Sequence, residues 1–96
     1  MRVMLEATMD TDKANELVRG GKLPEPMRET MDRVKPESAC FTAHEGGRTC
    51  CLVFDVQDSS QMPVIAEPFF TDLGARVEFS PVMNPDDLAK GLSQPG

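Results

Sequence analysis

With 96 residues, 40% of them hydrophobic and 27% charged, the chain is predicted to form one small globular domain whose core rests on aliphatic and Met side chains, since Trp and Tyr are absent. The net charge of −6 argues against nucleic-acid binding, because a phosphate-binding surface needs clustered Lys and Arg. No apolar run approaches the length of about 20 residues that spans a bilayer, and three Cys do not make a disulfide framework, so we expect a cytoplasmic protein without membrane contact.

The first third of the chain predicts one strand followed by two helical stretches. Residues 2–9 alternate like a strand, and residues 10–21 carry helix signals, with Asp10 or Thr11 as the cap. Residues 23–36 predict a second helical stretch, in which prolines near the first turn suit a helix start.

A strand hairpin is predicted in the middle of the chain. Residues 38–45 and 48–56 form its strands around Gly46–Gly47, a two-residue turn that tolerates positive φ. This turn would pair His44 with Thr49, and Thr42 with Cys51.

The last third predicts a helix, a strand and a short helix. The apolar residues of 58–74 recur at helical spacing, with Asp58 or a following serine as the cap, and Pro68 predicts a kink or a break inside that helix. Residues 75–83 predict the fourth strand, and Asn84 is expected to cap the short helix after it.

The element order is β-α-β-β-α-β with an extra C-terminal helix, which is the ferredoxin-like arrangement. The predicted fold class is therefore α+β, with a four-stranded antiparallel sheet and helices on one face only. We expect a single domain over residues 1–92 and a flexible tail over residues 93–96.

Strand parity sorts the side chains onto two faces. One face is apolar and should lie beneath the helices; it collects Val3, Leu5, Ala7, Phe41, Ala43, Cys50, Leu52, Phe54, Val56, Val77 and Phe79. The opposite face is mixed, with Cys40, Thr42, His44, Cys51, Val53 and Asp55 beside Met4, Glu6, Thr8, Arg76, Glu78 and Ser80. A mixed face of this kind suits a pocket enclosed by a second copy of the chain better than open solvent.

The layout resembles small proteins of the dimeric α/β-barrel superfamily, in which two ferredoxin-like sheets pack into one barrel. The segments "EGGRTCCLVFDVQD" and "EPFFTDLGARVEFSPVM" carry the resemblance, together with Pro81–Val82 at the end of the last strand. It is closest to uncharacterised single-domain members and implies a homodimer. The superfamily includes cofactor-independent monooxygenases, muconolactone isomerases and haem enzymes, but this chain lacks a helical His, a His-Asp dyad on its first strand and an evident haem ligand.

The mixed face supplies the candidate functional residues. Glu6, His44 and Arg76 are the catalytic candidates, because an enclosed carboxylate or imidazole can transfer a proton and a guanidinium can hold an anionic oxygen. Their structural alternative is an ion pair that only stabilises an interface. The candidate ligand-binding residues are Met4, Thr8, Thr42, Cys51, Val53 and Glu78.

The cysteines suggest two further hypotheses. A metal site from Cys40, His44 and Cys51 is disfavoured, because Cys40 and His44 are separated by about 13 Å along one strand, and we predict no metal. A Cys51 nucleophile beside His44 competes with the simpler interpretation that all three cysteines fill the core and the sheet wall.

These observations favour a cytoplasmic homodimer with a small-molecule pocket on the sheet face. If it is an enzyme, we expect proton-transfer chemistry of a monooxygenase-like or isomerase-like kind on a small metabolite, with no cofactor. The alternative is a non-catalytic dimeric accessory or ligand-binding protein, and a third hypothesis is redox or metal sensing through the cysteines.

Overall fold

A computed structural model describes all 96 residues as four strands and four helices. The strands are β1 (Arg2–Thr8), β2 (Ser38–His44), β3 (Gly47–Asp55) and β4 (Arg76–Pro81). The helices are α1 (Thr11–Leu17), α2 (Glu25–Val34), α3 (Gln61–Leu73) and α4 (Pro85–Leu92). None of the helices combines the length and the hydrophobicity needed to cross a membrane.

The strands form one antiparallel sheet in the order β2-β3-β1-β4. The predicted α+β class with a four-stranded antiparallel sheet is confirmed, and the architecture is compatible with a ferredoxin-like fold. β1 and β3 occupy the centre, whereas β2 and β4 each have one neighbour and lie at the edges.

The hydrophobic core lies between the sheet and helices α1 to α3. Alternate residues of β1 and β3 are fully buried there, as strand parity predicts. They pack with apolar side chains from the three helices in one cluster, whose fully buried members include Val3, Leu5, Ala7, Ala14, Cys50, Leu52, Phe69 and Leu73. The sheet face turned away from this core is called the open face below.

The hairpin turn differs from the prediction. Glu45 and Gly46 are the two loop residues, with φ of 51° and 78°, and His44 pairs with Gly47. The predicted pairs of His44 with Thr49 and of Thr42 with Cys51 are wrong, since each residue of β2 pairs with a residue two positions earlier on β3 than expected. An offset of two preserves the side-chain alternation, so the assignment of residues to faces is unaffected.

Phe41 and Ala43 are not core residues, although they point to the helix side. All seven residues of β2 are exposed, and Phe41 keeps 50% of its surface accessible. β2 is an edge strand, and its residues stay exposed because the helices pack over the centre of the sheet.

The helix starts agree with the sequence signals, and the break considered at Pro68 does not occur. Asp10 caps α1 by accepting the Lys13 N–H at 3.0 Å, and Ser60 occupies the N-cap position of α3 without a side-chain hydrogen bond. Pro68 lies inside α3, which continues without a break. Pro68 has no N–H to donate to the carbonyl of Val64, which lies four residues earlier and is exposed.

The C-terminal helix α4 is anchored by polar contacts rather than by packing. Asn84 and Asp87 form a capping box, in which each side chain accepts the other's backbone N–H. Arg2 forms ion pairs with both Glu37 and Asp87, and these carboxylates raise the pKa of its guanidinium. No residue of α4 is buried.

Candidate functional site

A shallow depression lies at one end of the open face. Its volume is about 200 Å³, and all of its lining side chains are polar: Glu6, Thr8, His44, Glu45, Arg76 and Glu78. With three carboxylates and one guanidinium, this acidic cleft is dominated by negative charge.

The register of β1 with the edge strand β4 assembles one side of the acidic cleft. Glu6 lies in the middle of β1, directly opposite Glu78 of β4. Two residues further along β1, Thr8 lies opposite Arg76. Because residues two apart on a strand share a face, all four side chains project from the open face.

His44 reaches the acidic cleft from the edge strand β2. Its Nε2 lies 4.0 Å from Oε1 of Glu6, although β3 separates the two strands. The residue paired with His44 is Gly47, which has no side chain to intervene. A Cβ added at Gly47 would lie 2.9 Å from Cγ2 of Thr8, so a larger residue would crowd the cleft.

Glu45 ties the hairpin turn to β4. Its Oε2 accepts a hydrogen bond from Nη2 of Arg76 at 3.3 Å, and both side chains are largely exposed. The ion pair that we considered as the structural alternative for Arg76 therefore forms with the hairpin turn, and not with Glu6 or with a neighbour on β4. Sequence reasoning missed Glu45 and Gly47; the only signal was their position in "EGGR", where the turn prediction used Gly46–Gly47 as the loop.

The structure brings five of the predicted site residues together and leaves four outside the acidic cleft. Glu6, His44 and Arg76 line it with Thr8 and Glu78. Met4, Thr42, Cys51 and Val53 lie further along the open face, with Met4 opposite Val53 and Thr42 opposite Thr49.

Cys51 does not lie beside His44. Its partner on β2 is Cys40, four residues from His44. The pKa of the Cys51 thiol is raised, first by burial and then by the negative charge of Glu6 and of Cys40. A cysteine nucleophile needs a lowered thiol pKa, so these surroundings work against nucleophilic catalysis by Cys51.

Cys50 belongs to the core. It is fully buried on the helix side of β3, and burial raises its thiol pKa to about 11. No group of three or more His, Cys, Asp and Glu side chains is arranged to hold a metal ion. Cys40 and His44 lie four residues apart on β2, which separates them by about 13 Å.

The acidic cleft combines two residue types that can transfer protons, an imidazole and carboxylates. Comparison with protein-family models, with curated proteins and with solved structures finds no match to this chain.

Proposed function

We propose that two copies of this chain pack with their open faces toward each other, and that the chamber between them binds a small polar metabolite in the acidic cleft. This is the dimeric α/β-barrel arrangement that the sequence resembles. The observation that carries the proposal is the open face, on which Met4, Cys51 and Val53 remain partly exposed beside Glu6. Apolar side chains in the middle of a sheet favour a covering surface, because burial removes them from water.

The small volume of the acidic cleft supports the proposal that a second copy of the chain closes it. Small-molecule sites usually enclose about 300–1,000 Å³. The cleft of one chain measures about 200 Å³ and opens along the sheet. A partner sheet packed at about 10 Å would deepen it into a chamber.

The proposed chemistry is proton transfer by His44 and Glu6. His44 acts as the general base or acid, and Glu6 orients the imidazole and stabilises its charge. When the Glu45 carboxylate releases Arg76, the guanidinium is free to hold a carboxylate or enolate oxygen of the substrate. No step in this scheme requires a cofactor.

A second candidate is a non-catalytic dimer that binds or carries a ligand. The Arg76–Glu45 pair favours it, because the one guanidinium of the cleft already has a carboxylate partner. In that case the open face is mainly an interface, and the acidic cleft selects a ligand without changing it.

Two measurements test the proposal. Light scattering after size exclusion measures the mass in solution, and a dimer is expected. A thermal-shift screen of small oxygenated metabolites should give a hit whose shift is lost in Glu6→Gln and weakened in Arg76→Ala. Glu29→Gln, an exposed change on α2, is the matched control and should leave the shift intact.

The outcomes separate the two candidates. Turnover of a hit that disappears in His44→Ala supports the enzyme, whereas binding without turnover supports the carrier. A monomer at every concentration contradicts both. A dimer structure in which partner side chains fill the open face and leave no chamber contradicts the enzyme, whereas an interface of that kind agrees with the non-catalytic dimer.

A further inference from the structure

Two cysteines face each other across the open face. Cys40 on β2 and Cys51 on β3 are direct register partners. Cys40 is exposed and Cys51 is partly exposed, so solvent reaches this thiol pair. The third cysteine, Cys50, points to the opposite side of the sheet and is buried.

The backbone pattern sets the spacing of the two cysteines. The Arg48 C=O accepts the N–H of Met9 at 2.9 Å, and the Val56 N–H donates to the C=O of Met1 at 2.8 Å, so both residues turn backbone groups toward β1. Because these bonds alternate along a strand, the backbone groups of Cys51 point toward β2, and Cys40–Cys51 is a hydrogen-bonded pair. Such pairs have Cα atoms about 5.5 Å apart and Cβ atoms near the upper end of about 4.5–5.5 Å.

This spacing suits a bridging ion better than a disulfide. A disulfide needs Cβ atoms about 3.5–4.5 Å apart, which would require the strands to move together. Two metal–thiolate bonds of about 2.3 Å place the sulfur atoms up to about 4.6 Å apart, which the native strand spacing accommodates.

The number and type of the available ligands indicate which metal ion would bind. No third His, Cys, Asp or Glu joins the pair in a metal-binding group, so a closed zinc site with four protein ligands is excluded. Soft thiolates select Cu(I), whose coordination two sulfur ligands can complete. On the β1 side Cys51 pairs with Glu6, and Glu6 pairs in turn with Glu78 on β4. These two carboxylates continue the row of side chains across the sheet, and their negative charge favours a cation.

We infer that Cys40 and Cys51 form a two-coordinate site for Cu(I). Each thiol releases its proton to solvent, two sulfur–copper bonds form, and no electron is transferred. Both sulfur ligands come from one chain, so the composition of the site does not depend on the proposed dimer.

Competition for Cu(I) under anaerobic, reducing conditions tests the site. The purified reduced protein is titrated into the coloured Cu(I) complex of bicinchoninate, and loss of colour measures transfer. The wild-type chain should withdraw one Cu(I) per chain. Cys40→Ser and Cys51→Ser should each lower the affinity for Cu(I) by at least about tenfold, because each variant keeps only one of the two thiolate ligands.

Cys50→Ala is the matched control, since it removes a neighbouring thiol from the other face and should leave copper binding intact. Circular dichroism melting checks that every variant is folded. A wild-type chain that leaves the colour unchanged overturns the inference. So does equal copper binding by Cys40→Ser and the wild type, or loss of binding in the folded Cys50→Ala variant alone.

Discussion

The two faces of the sheet differ in what covers them, and the difference is sharpest at two adjacent residues. Cys50 is fully buried beneath the helices, whereas Cys51 lies on the open face beside Glu6 and Cys40. One step along β3 therefore separates a core residue from a site residue. The helix side supplies the packing that stabilises the fold, and the open face holds every candidate for binding.

The same contrast appears in the polar groups. The helix-side cluster consists of apolar side chains, and no buried side-chain nitrogen or oxygen lacks a hydrogen-bond partner. The acidic cleft instead concentrates three carboxylates, one imidazole and one guanidinium. Charges are tolerated there because the cleft is open to water.

The largest expected effect comes from truncating neighbouring residues on the two faces. Leu52→Ala should lower the free energy of unfolding by about 2–5 kcal/mol, because it leaves a cavity in the core. Val53→Ala, the matched change on the open face, should cost less than about 1 kcal/mol in the isolated chain. Urea denaturation measures both, and equal costs would contradict the assignment of the core to one face.

The next largest effect is the pH dependence of folding stability that the buried Cys50 thiol causes. The pKa of Cys50 is raised to about 11 in the folded chain, from an unperturbed value of 9.0. Its neutral form therefore stabilises the fold fully below about pH 9, and this stability is lost as pH rises toward 11. The loss amounts to about 2–3 kcal/mol.

Denaturation at several pH values, comparing the wild type with Cys50→Ala, isolates this thiol. The alkaline loss should shrink in the variant, while Cys51→Ser should change it less, because Cys51 is only partly buried. An unchanged alkaline loss in Cys50→Ala would contradict the prediction.

A smaller effect is expected in α4, which is not part of the packed core. Asn84→Ala removes the capping box and should destabilise this helix by about 1 kcal/mol. Since α4 has no buried residue, global stability should change little. Hydrogen exchange of the α4 amides measures the local effect, and a large fall in the urea midpoint would show that α4 is part of the cooperative core.

The smallest effect is expected at Arg2, whose two ion pairs are exposed to solvent. Arg2→Ala should speed hydrogen exchange in α4, and high salt should weaken the same contacts in the wild type. Arg19→Ala removes an ion pair formed with Glu16 at the end of the α1 segment and is the control. Equal exchange in the two variants would show that Arg2 does not hold α4.

Much of this two-faced arrangement was predictable, because alternation along a strand is a local property of the sequence. Parity separated Cys50 from Cys51 and placed Glu6, His44 and Arg76 on one face without knowledge of the fold. Five of the six residues that line the acidic cleft were predictable for the same reason, whereas Glu45, which lies in the turn, was not.

The remaining features depend on tertiary geometry. Two adjacent glycines both tolerate positive φ, so "EGG" allows more than one turn, and the structure uses Glu45 with Gly46. That choice frees Gly47 to pair with His44 and brings Cys40 opposite Cys51. The exposure of Phe41 depends on which strands lie at the sheet edge, and no local pattern records that.

The exposed edge strand β2 also bears on how the protein behaves at high concentration. Its seven residues, "SACFTAH", contain no proline, lysine or carboxylate, which are the residues that natural edge strands use to deter pairing. One row of its backbone N–H and C=O groups has no neighbouring strand. Unless another surface covers it, β2 is the segment through which concentrated samples should aggregate, by adding strands from other molecules to the sheet.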